Sequence, residues 1–176
     1  MATAPTNSIG KARGHLRDQL ADCATFRTFV GAADQAEALA HIHFDSLPRP
    51  ASSSDYYSSS EITTYWPYAV LWVENYSRIQ DSHNTFGEIG TFGMQLVRQT
   101  PVGELNDPTE ASITFENQGA KIMEELGDLR DSGYLYFSSI TAENGPLRSS
   151  EEEEESSGPG DEQYIDLMVT WGTGVK

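Results

Sequence analysis

Tyr134-Leu135-Tyr136-Phe137 and Tyr164-Ile165-Asp166-Leu167-Met168-Val169-Thr170-Trp171 stand on either side of a turn, Asn144-Gly145-Pro146-Leu147-Arg148, and a run of five glutamates, Glu151, Glu152, Glu153, Glu154 and Glu155. In the later stretch Ile165, Leu167, Val169 and Trp171 alternate with Tyr164, Asp166, Met168 and Thr170, the period of a strand with one buried side. Strand, long polar loop and strand, with no catalytic signature among them, predict a small structural protein whose loops make its contacts.

Just upstream, Asp107-Pro108-Thr109-Glu110 reads as a helix start. It has a capping carboxylate, a proline at the first helical position where its missing N–H costs nothing, and a glutamate three residues after the cap. Phe115, Ile122, Met123, Leu126 and Leu129 then form an apolar stripe, interrupted by Gly127 and closed by Gly133, that belongs against a sheet. Further back, Tyr68-Ala69-Val70-Leu71-Trp72-Val73 is an apolar run of strand length, as expected in the middle of a sheet. After the polar residues 74–85, Phe92, Met94 and Leu96 alternate with Gly93, Gln95 and Val97, and Gly90 marks a bulge or a close backbone approach. These two strands predict a hairpin whose long tip carries Ser82-His83-Asn84.

The N-terminal part predicts two helices. Ser8 is a cap, with Ile9, Ala12, Leu16, Leu20 and Cys23 on one face at spacings of three and four. Asp34 with Glu37 opens the second, which carries Ala36, Leu39, Ala40 and Ile42 after a break at Gly31. Residues 48–60 shift to Pro, Ser and Asp, with Tyr56 and Tyr57 between two serine triplets, and predict a flexible surface loop. The order αα, ββ, α, ββ gives an α+β fold: a mostly antiparallel sheet of about four strands with helices packed on it. One domain over residues 1–176 is expected, with a flexible N-terminus and loops near 48–62 and 143–162.

Composition narrows the function. Lys and Arg number 11 against 27 for Asp and Glu, a net charge of −16. That balance disfavours gripping nucleic acid, because affinity for phosphates comes from Lys and Arg. It suits a wall past which DNA slides without sticking. The lone Cys23 and the sequence Met1-Ala2-Thr3-Ala4-Pro5, which lacks the features of a signal peptide, fit a reducing cytoplasm. No apolar run approaches the roughly 20 residues that span a bilayer, so no membrane association is expected.

Candidate sites are few. His41, His43 and Asp45 have metal-ligand chemistry, but at a helix end residues two apart point to different sides, and a cation stabilising the helix C-terminus is the favoured role. Cys23, on an apolar face, reads as an inert small hydrophobe. No GxGxxG, GxxxxGK or HExxH pattern occurs, and neither cofactor, metal nor enzymatic activity is expected. Trp66, Tyr68 and Trp72 are assigned to the core, whereas Tyr56 and Tyr57, in a polar loop, read as interface anchors. The five-glutamate run is a solvated, self-repelling loop or, in a ring of copies, a lining for a pore or for a basic partner. Arg148 lies between the turn and the acid run, where it pairs locally or across a subunit boundary.

The element order, together with Gly145-Pro146-Leu147-Arg148 before the loop and Val169-Thr170-Trp171-Gly172 at the close, resembles the tail terminator (tail completion) proteins of long-tailed bacteriophages over residues 8–172. The resemblance implies a virion protein of the tail and neck, assembled in the host cytoplasm. It implies a ring, usually a homohexamer, that caps the tail tube protein, stops tube growth and joins a neck or head completion protein. DNA would pass through the channel without specific binding. Tyr56, Tyr57, His83 and Arg148 would then make the contacts. The serine-rich segment and the glutamate run depart from a minimal terminator. A head-to-tail connector is the alternative within the same machine, and an acidic mimic of nucleic acid is the alternative outside it.

Overall fold

The computed structural model describes residues 8–48, 65–80, 86–99, 108–128, 135–144 and 162–173. The first helix, α1 (Ser8–Asp22), buries Ala12, Leu16 and Leu20 completely, as their three- and four-residue spacing predicts. The chain then breaks at Cys23 and begins a second helix, α2 (Ala24–Val30), which the sequence reading missed. Phe26, Phe29 and Val30 bury its inner face. Gly31 ends it at φ 72°, with the Ala32 N–H donating to the Arg27 carbonyl at 2.9 Å, the left-handed stop that glycine adopts without strain.

The predicted Asp34 cap is present. Asp34 Oδ1 accepts from the Glu37 N–H at 2.9 Å, and Glu37 Oε2 accepts from the Ala33 N–H at 2.7 Å, a reciprocal box displaced by one residue. The helix it opens, α3 (Gln35–Ala38), is shorter than expected. A 3₁₀ turn (Leu39–His41) follows, and Ile42, assigned from sequence to the helix, instead starts strand β1 (Ile42–Phe44). Its β-branched side chain buries to 6% exposure in the sheet.

Strands β2 (Tyr68–Gln80) and β3 (Phe86–Gln99) form the predicted antiparallel hairpin, then helix α4 (Pro108–Asp128) leads to β4 (Leu135–Asn144) and β5 (Glu162–Thr173). The sheet has five strands in the order β1-β2-β3-β5-β4, antiparallel except for the β1–β2 pair. The α+β class with a mostly antiparallel sheet therefore holds. Two expectations are corrected. The middle strand is β3 rather than the apolar run 68–73, because the short β1 pairs outside β2 and β5 inserts beside β3. The polar residues 74–80 continue β2, since cross-strand hydrogen bonds to β3 do not require apolar side chains.

The helices pack on one face of the sheet. Ala69, Leu71, Phe92, Met94, Leu96, Ile165, Leu167, Val169 and Trp171 meet α1, α2 and α4 there. At about 1.5–3 kcal/mol for each fully buried large apolar side chain, this face dominates the stability. Gly119 lets α4 come close to β5, a built Cβ lying 3.1 Å from Ile165 Cδ1. Glu125 of α4 accepts hydrogen bonds from the Thr25 backbone N–H and hydroxyl, which ties α4 to the first turn of α2.

Gly90 is a close approach, one of the two roles predicted for it. A Cβ there would stand 2.7 Å from Trp171 Nε1 and 2.8 Å from the Asn75 carbonyl oxygen. The bulge itself lies opposite, between Val73 and Asn75 of β2. Trp171 is wholly buried and stacks on Phe92, with ring centroids 5.5 Å apart, and on Tyr76 at 6.3 Å.

Candidate functional site: a cleft at the sheet end and the uncovered sheet face

Where β2 begins and β3 ends, the helical layer leaves a cleft of about 310 Å³. Thr28 and Phe29 of α2, Trp66 and Pro67 just before β2, Arg98 and Gln99 of β3 and Gln118 of α4 line it. Arg98 continues the inward alternation of Phe92, Met94 and Leu96, so its guanidinium enters the protein and is only 7% exposed. Its Nε donates to Gln163 Oε1 at 2.7 Å, its Nη2 donates to the Ala111 carbonyl at 2.9 Å, and its plane lies 4.7 Å from the centre of the Phe115 ring. Phe29 stacks on Phe115 with centroids 5.8 Å apart, so the guanidinium sits over one ring of a stacked aromatic pair. Within the cleft walls the Trp66 indole N–H and the Gln118 side-chain carbonyl are shielded and have no hydrogen-bond partner among the described residues.

The opposite face of the sheet has a different character. Val70, Trp72, Tyr164, Asp166, Met168 and Thr170 are half-buried there. The Trp72 indole lies flat over Gly93, where a Cβ would fall 2.0 Å from the ring, and its Nε1 donates to Glu74 Oε2 at 2.8 Å. Gln95 Nε2 donates to Asp166 Oδ1 at 2.9 Å. Trp72 therefore belongs to the face away from the helices, not to the main core as its sequence context suggests; only glycine opposite it leaves room for the ring.

His41 closes the 3₁₀ turn, as expected of a residue at a helix end, but His43 lies in β1 and Asp45 just beyond it, and the three do not converge. His41 Nδ1 lies 2.9 Å from the Pro67 carbonyl. His43 packs edge-on against Tyr65 at 5.8 Å and Tyr68 at 6.1 Å between centroids. Asp45, at φ 63°, pairs with Arg13 at 2.8 Å, and Arg13 also donates to the Leu71 carbonyl and covers the Phe44 ring. Burial and the neighbouring His41 lower the His43 pKa. Among the described residues no group of three or more His, Cys, Asp or Glu side chains is placed to hold a metal ion. Cys23 is 2% exposed, and burial, reinforced by Glu125 and Asp22, pushes its thiol up to about 12.

The contact residues expected from sequence, Tyr56, Tyr57, His83 and Arg148, lie outside the described residues, as do Glu151, Glu152, Glu153, Glu154 and Glu155. Arg98 and Gln118 were not singled out, and Trp66 was assigned to the core. The alternation 92, 94, 96, 98 is a signal that places Arg98 inward. Nothing in the chain announces that residues 66, 98 and 118 meet, because their elements join only through the sheet. No helix among the described residues is long and apolar enough to cross a membrane. No family model matches the chain, and no curated protein matches it.

Proposed function

We propose that the chain is a structural virion subunit that assembles into a ring, caps a phage tail tube, ends tube growth and joins the tail to the neck. The observation that carries this reading is the layering. All the described helices serve one face of a single sheet, while the other face holds Trp72, Val70 and Met168 half-buried. A sheet with apolar side chains on both sides gains stability from a second layer, and copies of one chain arranged about an axis supply such a layer repeatedly. The element order described above and the net charge of −16 support the same reading, because a negatively charged ring does not retain passing DNA.

In such a ring Tyr56, Tyr57, His83 and Arg148 serve contacts with the next subunit, the tail tube protein or the head completion protein. The glutamate run, 151–155, faces the channel or a basic partner. Light scattering behind a sizing column, on the protein alone and mixed with tail tube, tests the reading. A closed ring, or a monomer converted to a ring on tube ends, is the expected result. A monomer that ignores tube ends and binds a basic host protein in a salt-sensitive way overturns it in favour of an acidic mimic.

A further inference from the structure

Charge is divided unevenly along the chain and between the two sides of the sheet. Helices α1 and α2, residues 8–30, carry Lys11, Arg13, Arg17 and Arg27 against Asp18 and Asp22, a net +2 within a total of −16, so the rest of the chain carries −18. Among the described residues every other lysine and arginine also lies on a helix or on the helix side of the sheet, Arg98 pointing inward and Arg78 sharing its side with Tyr76 and Trp171. The uncovered face presents carboxylates instead: Glu74, bonded to the Trp72 indole, and Asp166, bonded to Gln95.

At the β1 edge, on the helix side, Phe44 is 37% exposed, with the guanidinium carbon of Arg13 4.2 Å and that of Arg17 5.9 Å from its ring centre. Arg13 is engaged by the Leu71 carbonyl and Asp45. The Arg17 side chain is 38% exposed and holds the carboxylate of its own neighbour, Asp18, a surface pair that costs little to exchange. A ring beside a cation complements the uncovered face, which offers a ring beside a carboxylate. Trp72 lies over Gly93, whose cross-strand partner is Met168; Asp166, two residues along β5, is a diagonal neighbour of Gly93 at about 7–8 Å. The 5.9 Å between the Phe44 ring and the Arg17 guanidinium reaches this spacing through the flexible torsions of arginine.

We infer that the uncovered face receives a second copy of this chain, Phe44 packing against Trp72 and Met168 while the Arg17 guanidinium donates to Asp166. The two patches lie on opposite sides of the sheet, so one molecule cannot join its own. Pairing like with like about a two-fold axis would set Asp166 and Glu74 against carboxylates, or Arg17 against guanidinium groups, so the contact runs head to tail. The net charge opposes association at long range, but at about 0.15 M salt the Debye length is about 8 Å, which screens distant acidic surfaces and spares groups in contact. The inference rests on the ring reading and supplies its contact.

Sedimentation velocity of the full chain, from about 1 μM to 1 mM in about 0.15 M salt, is the test. The wild type should associate. Arg17→Glu and Asp166→Arg should each weaken association about tenfold or more, because repulsion replaces attraction, and the double variant should return to within about threefold of wild type. Asp166→Arg makes the chain less acidic, so general repulsion alone predicts tighter association, the opposite sign. Lys11→Glu changes the charge as Arg17→Glu does but lies about 120° away around α1, and it should leave association unchanged. Phe44→Ser should weaken association without altering charge; each variant is compared at native circular dichroism. Unchanged association in Arg17→Glu, Asp166→Arg and Phe44→Ser overturns the inference and leaves the ring reading intact. A wild type that stays monomeric throughout also overturns it, and the ring reading then rests on tube ends alone. A monomer that binds hexa-arginine, and loses that binding in Asp166→Arg, overturns it in favour of a basic partner on this face.

Discussion

Replacing Gly90 with alanine adds one methyl group where the fold has no room. The new carbon would lie 2.7 Å from Trp171 Nε1 and 2.8 Å from the Asn75 carbonyl oxygen, against ordinary contacts of 3.4 Å or more. Neither neighbour yields readily. Trp171 is wholly buried, nearly parallel to Phe92 at 10° and to Tyr76 at 20°, and the Asn75 oxygen belongs to the backbone of β2. Overpacking of this kind costs about 1–3 kcal/mol. The smaller unfolded-state entropy of alanine returns about 0.5–1 kcal/mol. Because one clash is with backbone, the cost falls in the upper half of that range, about 2–3 kcal/mol, and the net loss is about 1–2.5 kcal/mol, which for a chain of this size lowers Tm by about 2–10 °C.

Urea unfolding followed by tryptophan fluorescence measures this loss directly. Gly14→Ala in α1 and Gly127→Ala in α4 are the controls, since a Cβ at either position meets nothing within 4 Å, and each should gain about 0.5–1 kcal/mol from helix propensity. Combining Gly90→Ala with Trp171→Phe should cost less than the sum of the two single changes, because the smaller ring relieves part of the clash. A Gly90→Ala protein as stable as wild type, or strictly additive behaviour in the double variant, would refute the packing argument.

Three further outcomes are expected. Arg98→Met removes the donors held by Gln163 Oε1 and the Ala111 carbonyl and should cost about 1–3 kcal/mol in urea unfolding, and Arg98→Lys should not restore it, because an ammonium lacks the planar fork that reaches both acceptors. Cys23, with its thiol pushed up to about 12, should resist alkylation by iodoacetamide at pH 8 in the native protein and react promptly in urea; rapid native labelling would contradict its burial. His43 has a folded pKa below its ordinary value of 6.5, so the unfolded chain binds its proton more readily; the associated stability is present above about pH 6.5 and lost as pH falls through the folded pKa. His43→Phe should therefore lose less stability than wild type between pH 7 and pH 5, and equal slopes for the two proteins would contradict the assignment.

Much of the fold was legible in the chain because its signals are local. The three- and four-residue spacing of Ala12, Leu16 and Leu20 located α1, and the proline after Asp107 located the start of α4. The alternation of Ile165, Leu167, Val169 and Trp171 identified the buried side of β5. Reading failed where a residue's state depends on a distant partner. Ile42 has helical neighbours in sequence, yet it pairs with Ala69 in the sheet, and residues 74–80 are polar, yet they extend β2 because β3 supplies their hydrogen bonds.

By itself, then, the amino-acid sequence determined which residues are amphipathic and at what period, where the well-capped helices start, and the acidic balance that any partner must accept, since each of these is written within a few residues or in the bare count of charges. Only the tertiary structure decided that β3 is the central strand, that Gly90 and Gly93 each stand under a tryptophan ring, and that Trp66, Arg98 and Gln118 share one cleft. These outcomes arise from strand order and register, which bring together residues tens of positions apart, and short-range periodicity carries no record of such pairings.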